Sequence, residues 1–422
     1  RLLDRNEPFP PYFEKAHDTW FMTLRYNNNL QIKKDFSERT RANLLVGYSF
    51  YERKKTKYVK DLTTLDTTLV TNPEEHDTSM FHAVLARGIL NHEFANEKFN
   101  IYAGFDSNGE KGLGKRIEDG EESIGDYAAF VSLQYTPLSQ LVLQPGVRYS
   151  YNTKYDSPLI PSLNVKYRLG NGAIRASYAR GFRAPSLKEL YLQFYDANHQ
   201  IEGNDALIAE RSHNFNLNYG SQPRIRSDKI DLEMKAFYNI INDRISLVQV
   251  DPENPLHYKN ANTGHFESIG GNLSAGFDPL ERMTLFAGVG TIGRKDSYYE
   301  SDAFKFSPTA VSNLSVRFLQ NKMVLSLLYK YTGKYPVYRF ISDDEIGLQY
   351  LQDYHNMDAT VSVKLWKQAI NLTTGVKNIF NNTELTGMSA GGSGHGGGDA
   401  ASSLVGWGRT MFVRLKYNFV KY

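Results

Sequence analysis

Cysteine is absent from the 422 residues, which excludes disulfide scaffolds and metal sites built on thiolate ligands. No run of about 18 or more apolar residues occurs, so a membrane protein built of helices is excluded as well. Neither sign of charge dominates, because 49 Lys and Arg face 46 Asp and Glu, and the net charge of +3 gives no indication of nucleic-acid binding. Tryptophan is scarce at 3 residues, yet 28 Tyr and 24 Phe raise the aromatic share to 13%, too much for a disordered chain.

Alternation of apolar and polar residues with a period of two runs through most of the chain. The segments that show it most clearly are 162–169, 213–219, 230–238 and 409–419. In the first of them Leu163, Val165, Tyr167 and Leu169 alternate with polar residues. Because successive side chains of a strand point to opposite faces, each segment has one apolar and one polar face. This pattern alone fits a soluble β-sandwich and a transmembrane barrel equally well.

The connections between 17 candidate strands alternate between short and long. The short ones are 136–139, 170–172, 278–281, 320–322 and 367–369. The long ones are about 53–78, 107–124, 153–161, 181–212, 243–263, 293–310, 334–356 and 381–408. Outer-membrane barrels have short periplasmic turns and long external loops, whereas a sandwich has no reason to sort its loops in this way. The sequence therefore predicts an all-β fold, a transmembrane antiparallel β-barrel with a polar lumen and an apolar face toward membrane lipid.

The strand count predicts how the barrel closes. If 409–419 ends on the periplasmic side, reading back through seventeen strands places residues 1–18 outside. Single-chain bacterial barrels have an even number of strands and both ends in the periplasm. We therefore expect an odd number of strands upstream of residue 1 and interpret 1–422 as a single, partial β-barrel domain.

Several short motifs carry a family resemblance. Residues 179–191 read Ala-Arg-Gly-Phe-Arg-Ala-Pro-Ser-Leu-Lys-Glu-Leu-Tyr and contain the box Phe182, Arg183, Ala184 and Pro185. This box resembles the Phe-Arg-Ala-Pro box of TonB-dependent outer-membrane receptors.

A second box follows at 203–212. It is similar to the family's Gly-Asn-Pro-x-Leu-x-x-Glu box, with Asn204 and Leu207 in place and Asp205 where the family has proline. Segments 126–130, 375–381 and 408–419 also resemble family motifs. The resemblance covers roughly residues 100–420, and three residues follow the usual terminal phenylalanine at Phe419.

The resemblance implies a 22-stranded barrel whose lumen holds an N-terminal plug domain, with the plug and the first strands absent from this chain. It implies active import of a scarce iron chelate, haem or a siderophore, across the outer membrane of a Gram-negative bacterium. The implied partners are TonB, through the plug, the small-molecule chelate, membrane lipid and a surface lipoprotein that captures the ligand. No permanently bound cofactor and no nucleic acid are implied.

Four residues are candidates for ligand binding. In the haem-uptake branch of the family a histidine between the two boxes ligates haem iron, and His199 occupies that interval together with Tyr191 and Tyr195. His395 lies in the glycine-rich segment 391–399, where the backbone can approach a bulky ligand closely.

The residues of the two boxes are expected to shape the base of the loop rather than to contact ligand. Pro185 fixes its own φ and biases Ala184 toward extended geometry. The following segment, 186–191, is expected to form a short helical turn with Ser186 as its N-cap.

Other functions remain as alternatives. A cobalamin importer needs no iron-ligating histidine, and a passive porin or structural barrel needs no plug. A soluble β-sandwich binding module is a further alternative. The sequence has no Gly-x-Ser-x-Gly, His-Glu-x-x-His or Walker motif, so no enzymatic activity is expected.

Overall fold

The computed structural model describes residues 2–3, 15–95, 97–195, 200–225, 228–251, 254, 256–297, 303–342, 345–366, 369–386, 402–404 and 408–419. Most of these residues are in β-strands, and helices are very few, which confirms the predicted all-β class. Among them, no helix has the length and apolar character to cross a membrane.

Strands follow one another along nearly the whole described chain. The first eight are β1 Leu2–Leu3, β2 Lys15–Ser37, β3 Thr40–Asp61, β4 Thr67–Leu69, β5 Asp77–Glu93, β6 Phe99–Gly114, β7 Glu121–Leu138 and β8 Leu141–Asn152. The next ten are β9 Ile160–Leu169, β10 Gly172–Arg183, β11 Phe194–Tyr195, β12 Gln200–Glu202, β13 Glu210–Ser221, β14 Arg224–Ile225, β15 Asp228–Asn242, β16 Ile245–Gln249, β17 His257–Asn262 and β18 Phe266–Leu280. The last ten are β19 Met283–Asp296, β20 Lys305–Phe318, β21 Met323–Thr332, β22 Tyr335–Ser342, β23 Glu345–Leu351, β24 Tyr354–Leu365, β25 Ile370–Lys377, β26 Glu384–Thr386, β27 Ser402–Leu404 and β28 Thr410–Tyr417. One short α-helix, α1 Leu187–Tyr191, and two 3₁₀ turns, Pro73–Glu75 and Glu118–Gly120, complete the described elements.

Among the described residues, twenty strands form one sheet, and seventeen of them, all but the short β1, β4 and β14, are its long strands. Each long strand pairs antiparallel with the next long strand along the chain, from β2 to β28. The predicted count of 17 and the antiparallel order are confirmed. Within the described residues β28 pairs only with β25, and β2 has only the two residues of β1 at its other edge, so the sheet is not a closed ring.

The connections between long strands alternate in length as predicted. At one end, the turn end, β9 and β10 are joined through Gly170, whose φ of +53° is the left-handed conformation that glycine adopts without strain. At the other end, the loop end, residues 184–209 and 243–265 form the connections after β10 and β15.

Several of the predicted long connections are shorter than expected, among them the two that follow β3 and β6. The segment predicted as 53–78 narrows to 62–76, because β3 runs to Asp61 and β5 begins at Asp77. Likewise, 107–124 narrows to 115–120. The ends of these strands carry charged residues or glycine on both faces, so they lack the apolar alternation by which strands are recognised in a sequence.

The register separates the sheet into two faces. Leu163, Tyr178, Phe215, Tyr238 and Ile269 are successive partners across five strands and form one row of the outer face. The adjacent positions Asn164, Ser177 and Asn216 share the opposite face, the lumen face. On that face, farther along the sheet, the carboxylate of Asp106 binds the guanidinium groups of Arg87 and Arg148. An apolar outer face and a polar, charged lumen face are what a transmembrane barrel requires.

Two neighbouring strands are much longer than a bilayer needs. A membrane-spanning strand takes about 9–11 residues, whereas β2 has 23 and β3 has 22. Because β3 enters from the turn end, its final residues, 53–61, project beyond the bilayer at the loop end. These residues therefore form part of the wall around the opening of the lumen.

Candidate functional site at the loop end of the lumen

The connection 184–209 begins with a helical turn that its sequence specifies. The hydroxyl of Ser186 accepts a hydrogen bond from the backbone N–H of Glu189 at 3.3 Å, and the carboxylate of Glu189 accepts one from the N–H of Ser186 at 2.7 Å. This capping box satisfies N–H groups that the first turn of α1 leaves free. The predicted turn, with Ser186 as its cap, is confirmed. Pro185, just before this turn, is fully buried, and Ala184, which precedes Pro185, is half-buried.

The helix α1 fastens the connection to the lumen face. Leu187 and Leu190 are 1% and 0% exposed and lie at the centre of an apolar cluster. The members of this cluster are Ile117, Ile124, Leu187, Leu190, Tyr191, Leu207 and Ile245. They come from β7, from β16 and from two separate connections at the loop end, so apolar burial holds these segments together. The connection therefore folds over the opening of the lumen.

Arg183 forms an ionic clamp at the base of this connection. Its guanidinium donates to both carboxylate oxygens of Glu210, at 2.7 and 2.8 Å, and to Glu189 at 2.9 Å. Glu210 also accepts a hydrogen bond of 2.7 Å from the backbone N–H of Ile245. A bidentate pair of this kind fixes geometry as well as energy, so the clamp ties α1, β13 and β16 together. Phe182, beside it in β10, is half-buried.

Tyr191 is packed inside the fold of the connection. It is 8% exposed, and its hydroxyl oxygen accepts a hydrogen bond of 2.6 Å from Nζ of Lys154. Lys154 also donates to Glu122 at 3.0 Å. Burial lowers the pKa of Lys154, but the bonds to Tyr191 and Glu122 outweigh it and hold that pKa above its ordinary value. The neighbouring Tyr155 donates a hydrogen bond of 2.9 Å to the carbonyl oxygen of Leu207, which closes the base of the connection.

The connections 184–209 and 243–265 join in a small sheet with the strand order β11, β12, β17, β16. Strands β12 and β17 are parallel, and Gln200 is the partner of His257. Nε2 of His257 lies 2.9 Å from Oε1 of Glu202, which also accepts a hydrogen bond of 3.1 Å from the Tyr195 hydroxyl. Burial raises the pKa of Glu202, but these two bonds outweigh it, so the pKa lies below its usual value.

Asn204 connects the same two segments through its side-chain amide. Its Nδ2 donates a hydrogen bond of 2.8 Å to the carbonyl oxygen of Asn260, and its Oδ1 accepts one of 3.1 Å from the N–H of Ala206. Leu207, the other predicted residue of this box, is 3% exposed within the apolar cluster. Both residues therefore hold the two connections in shape.

A group of cationic and aromatic side chains lies beside α1 on the lumen face of β2, β3 and β5. We call Phe21, Tyr51, Arg53, Phe81 and Lys188 the basic aromatic patch. The guanidinium of Arg53 lies 4.4 Å from the ring centre of Phe21, and Nζ of Lys188 lies 5.0 Å from that of Phe81. The rings of Tyr51 and Phe81 are 6.3 Å apart.

The cations of this patch lie against rings instead of acids. In the part of the chain that the structure describes, neither Arg53 nor Lys188 has a carboxylate at ion-pair distance, whereas the nearby Lys57 and Arg116 bind Glu75 and Asp77 at 2.9 and 2.7 Å. Because a ring is neutral, a cation over its face retains a net positive charge. The patch is therefore able to attract an anion that also has flat apolar surfaces.

The structure brings together only some of the predicted candidates. Tyr195, 48% exposed, lies in the edge strand β11 of the small sheet, whereas the strands of the basic aromatic patch belong to the large sheet. His199 and His395 lie outside the described residues, and among the described residues no group of three or more His, Asp or Glu is arranged to hold a metal ion. Sequence reasoning missed the patch, although the run of five cations within 53–60 was a visible signal.

Replacing Arg183 tests whether the clamp holds the connection over the lumen. In Arg183→Gln, Glu189 and Glu210 lose charged hydrogen bonds worth about 1.5–3 kcal/mol each. We expect amide hydrogen exchange in α1 to accelerate by roughly tenfold or more, because local opening becomes easier. Arg183→Lys keeps the charge but loses the bidentate geometry. Its exchange rate in α1 should therefore lie between those of the unmodified protein and Arg183→Gln. Exchange in Arg183→Gln equal to that of the unmodified protein would contradict the clamp.

Comparisons with known proteins agree with this architecture. A model of the family described as TonB dependent receptor-like, beta-barrel matches residues 3–379. No curated protein matches the chain.

Solved structures of similar fold include two receptors and one transporter. The siderophore receptor PirA of Acinetobacter baumannii is 15% identical to this chain with a TM-score of 0.70, and the match covers 94% of this chain and 63% of the PirA chain. The copper transporter OprC is 14% identical with a TM-score of 0.70, covering 97% and 67%. A variant of the ferric enterobactin receptor PfeA of Pseudomonas aeruginosa is 15% identical with a TM-score of 0.66, covering 94% and 70%.

At such identities these likenesses show the fold alone, and this chain spans about two thirds of the length of the proteins it resembles. The family match is broader, since it includes most of the long strands and both boxes around α1. The chain belongs to the β-barrel family of TonB-dependent receptors.

Proposed function

We propose that the protein imports a metal chelate across the outer membrane of a Gram-negative bacterium, with energy delivered through TonB. Receptors of this family are transporters and not enzymes, and they carry no permanent cofactor. The observation that carries the proposal is the basic aromatic patch at the opening of a lumen lined by polar and charged residues. Family membership favours this function over a passive porin.

The patch favours an anionic, aromatic chelate as cargo. Ferric catecholates combine a negative charge with flat rings, which suit the guanidinium of Arg53, the ammonium of Lys188 and the rings between them. PirA is described as a siderophore receptor and PfeA as a ferric enterobactin receptor, which supports a siderophore as the first candidate. Haem has the same combination of negative charge and flat aromatic surface, so it is the second candidate.

Removing both cations of the patch tests the cargo class. In the double variant Arg53→Gln, Lys188→Gln, we expect the full-length receptor to bind a ferric catecholate at least about tenfold more weakly, because charged contacts worth about 1.5–3 kcal/mol each are lost. The binding of the unmodified receptor should weaken as salt rises, and the variant should lose most of that dependence. Titration of protein fluorescence with the ferric complex measures both.

Arg414→Gln, Lys416→Gln provides the matched control, because it removes two cations from the lumen face of β28 near the turn end. The control should bind as tightly as the unmodified receptor. Equal weakening in both double variants would show a general charge effect and remove the patch from the site.

Haem binding has a separate expected signature at His199, which no described contact supports or opposes. If haem is the cargo and His199 its iron ligand, haemin added to the full-length receptor shifts its Soret band, and His199→Ala abolishes that shift. His395→Ala is the comparison, because it removes the second candidate histidine. An unchanged affinity and spectrum in His199→Ala would exclude that residue as a ligand.

The remaining partners follow from the same proposal. TonB would contact a plug segment, and a surface lipoprotein would deliver the chelate at the loop end. The unpaired edges of β2 and β28 would expose backbone N–H and C=O groups to hydrocarbon, where no water replaces the missing hydrogen bonds. We propose that further strands of the same barrel pair with these edges. A cobalamin cargo has no supporting contact among the described residues.

A further inference from the structure

The outer face of β10, β13, β15 and β18 is organised in successive rows that run across the strands. From the turn end toward the loop end, the rows are Ala176, Leu217, Ala236 and Gly271, then Tyr178, Phe215, Tyr238 and Ile269, then Arg180, His213, Ile240 and Glu267. The first row is dominated by small residues, the second by aromatic residues, and the third by polar residues. The character of this face therefore changes from apolar to polar within about 14 Å along the strands.

An apolar groove of about 580 Å³ lies on this face. The small side chains of Ala176 on β10 and Ala236 on β15 leave space at the floor of the groove. On β13, which lies between these strands, Phe215 and Leu217 remain 43% and 52% exposed. The rings of Tyr178 and Phe215 are 5.0 Å apart and border the groove toward the loop end. A groove of this shape on a membrane-facing surface suits an acyl chain.

Cationic groups lie directly beyond the groove on the loop side. Arg180 is the register partner of His213, and Arg211 lies two residues before His213 in β13, on the same face and nearer the loop end. Neither arginine has an ion pair in the described parts of the chain, and Nε of Arg180 is buried without a hydrogen-bond partner. Nδ1 of His213 is 2.9 Å from the Tyr178 hydroxyl, which fixes the ring and leaves its other nitrogen for a further partner.

The carboxylate in the third row, that of Glu267, is bound by other residues. Glu267 is the last residue of the third row. It lies three strands away from Arg180, which corresponds to about 14 Å across the sheet. Its carboxylate accepts a hydrogen bond from Tyr238 and lies 3.2 Å from His265 and 3.5 Å from Lys295. The positive charge of Arg180 and Arg211 is therefore not neutralised by this carboxylate.

We propose that this face binds a phosphorylated acyl lipid of the outer leaflet, with its phosphate at Arg180 and Arg211 and one acyl chain in the groove. The loop end faces the outside, so the cations lie at the depth of the outer-leaflet headgroups. Two arginines without acidic partners suit a phosphate, which accepts their hydrogen bonds bidentately. The site is separate from the lumen and independent of which chelate is transported.

Binding of defined lipids to the full-length receptor in detergent tests the site. The probes are a bisphosphorylated hexa-acyl lipid A, the same lipid without its phosphates, and inorganic phosphate, each followed by native mass spectrometry. We expect the unmodified receptor to prefer the phosphorylated lipid by at least about tenfold. The double variant Arg180→Gln, Arg211→Gln should lose that preference while keeping weak binding of both lipids.

Two further variants separate the parts of the site. Arg175→Gln, Arg414→Gln removes two arginines from the lumen face, one of them on β10 itself, and should bind as the unmodified receptor does. Ala236→Trp fills the floor of the groove. It should weaken the binding of both lipids without changing the preference for the phosphorylated one. Migration on gels before and after heating verifies that each variant is folded.

Three results would overturn the proposal. The first is equal binding of the two lipids by the unmodified receptor. The second is an undiminished preference for the phosphorylated lipid in the double variant Arg180→Gln, Arg211→Gln. The third is displacement of the lipid by inorganic phosphate at the same concentration as the lipid. The last result would show an anion site without a lipid.

Discussion

Backbone hydrogen bonding in a medium without water is the constraint on which this structure depends. Each N–H and C=O group within the hydrocarbon must find a partner in the neighbouring strand, since an unpaired group there costs several kcal/mol. The antiparallel meander from β2 to β28 meets this demand everywhere except at the outer edges of these two strands. The same pairing fixes the register, and the register decides which side chains meet lipid and which meet the lumen.

The loop end is stabilised by other interactions, because its segments are exposed to water and must still keep a defined shape over the opening of the lumen. Apolar burial around Leu187 and Leu190 supplies cohesion, and the clamp from Arg183 to Glu189 and Glu210 supplies orientation. The pairing of β12 with β17 then makes two connections into one wall. Arg53 and Lys188 lie at this opening without an acidic partner among the described residues. The loop end is therefore able to bind an anion.

Local patterns in the sequence were enough to predict much of this fold. Alternation at 162–169 specified a two-faced strand, Gly170 and Asn171 specified a tight turn, and Ser186 with Glu189 specified the capping box. Each of these signals depends on residues within one turn or strand. The ends of β3 and β6 escaped prediction because charge and glycine on both faces remove the periodic signal there.

Contacts between distant segments were beyond such reasoning. The basic aromatic patch joins Arg53 and Phe21 of one hairpin to Lys188 of α1, and nothing in the local sequence of either segment indicates the other. The same holds for Glu202 and His257, whose strands meet only once both connections have folded over the lumen. Conversely, Tyr191 looked like a candidate ligand residue because exposure cannot be read from residue type, and the fold buries it in the cluster around α1.

Collision measurements on single nitroxide labels along β13 test whether the two faces of this sheet separate lipid from lumen. The chain has no cysteine, so single cysteines introduced at successive positions from Asn214 to Tyr219 carry one label each. We expect labels at 215, 217 and 219 in the full-length receptor in bilayers to collide with oxygen dissolved in the lipid, while those at 214, 216 and 218 do not. Equal collision at all six positions, or alternation in the opposite phase, would contradict the separation of the two faces.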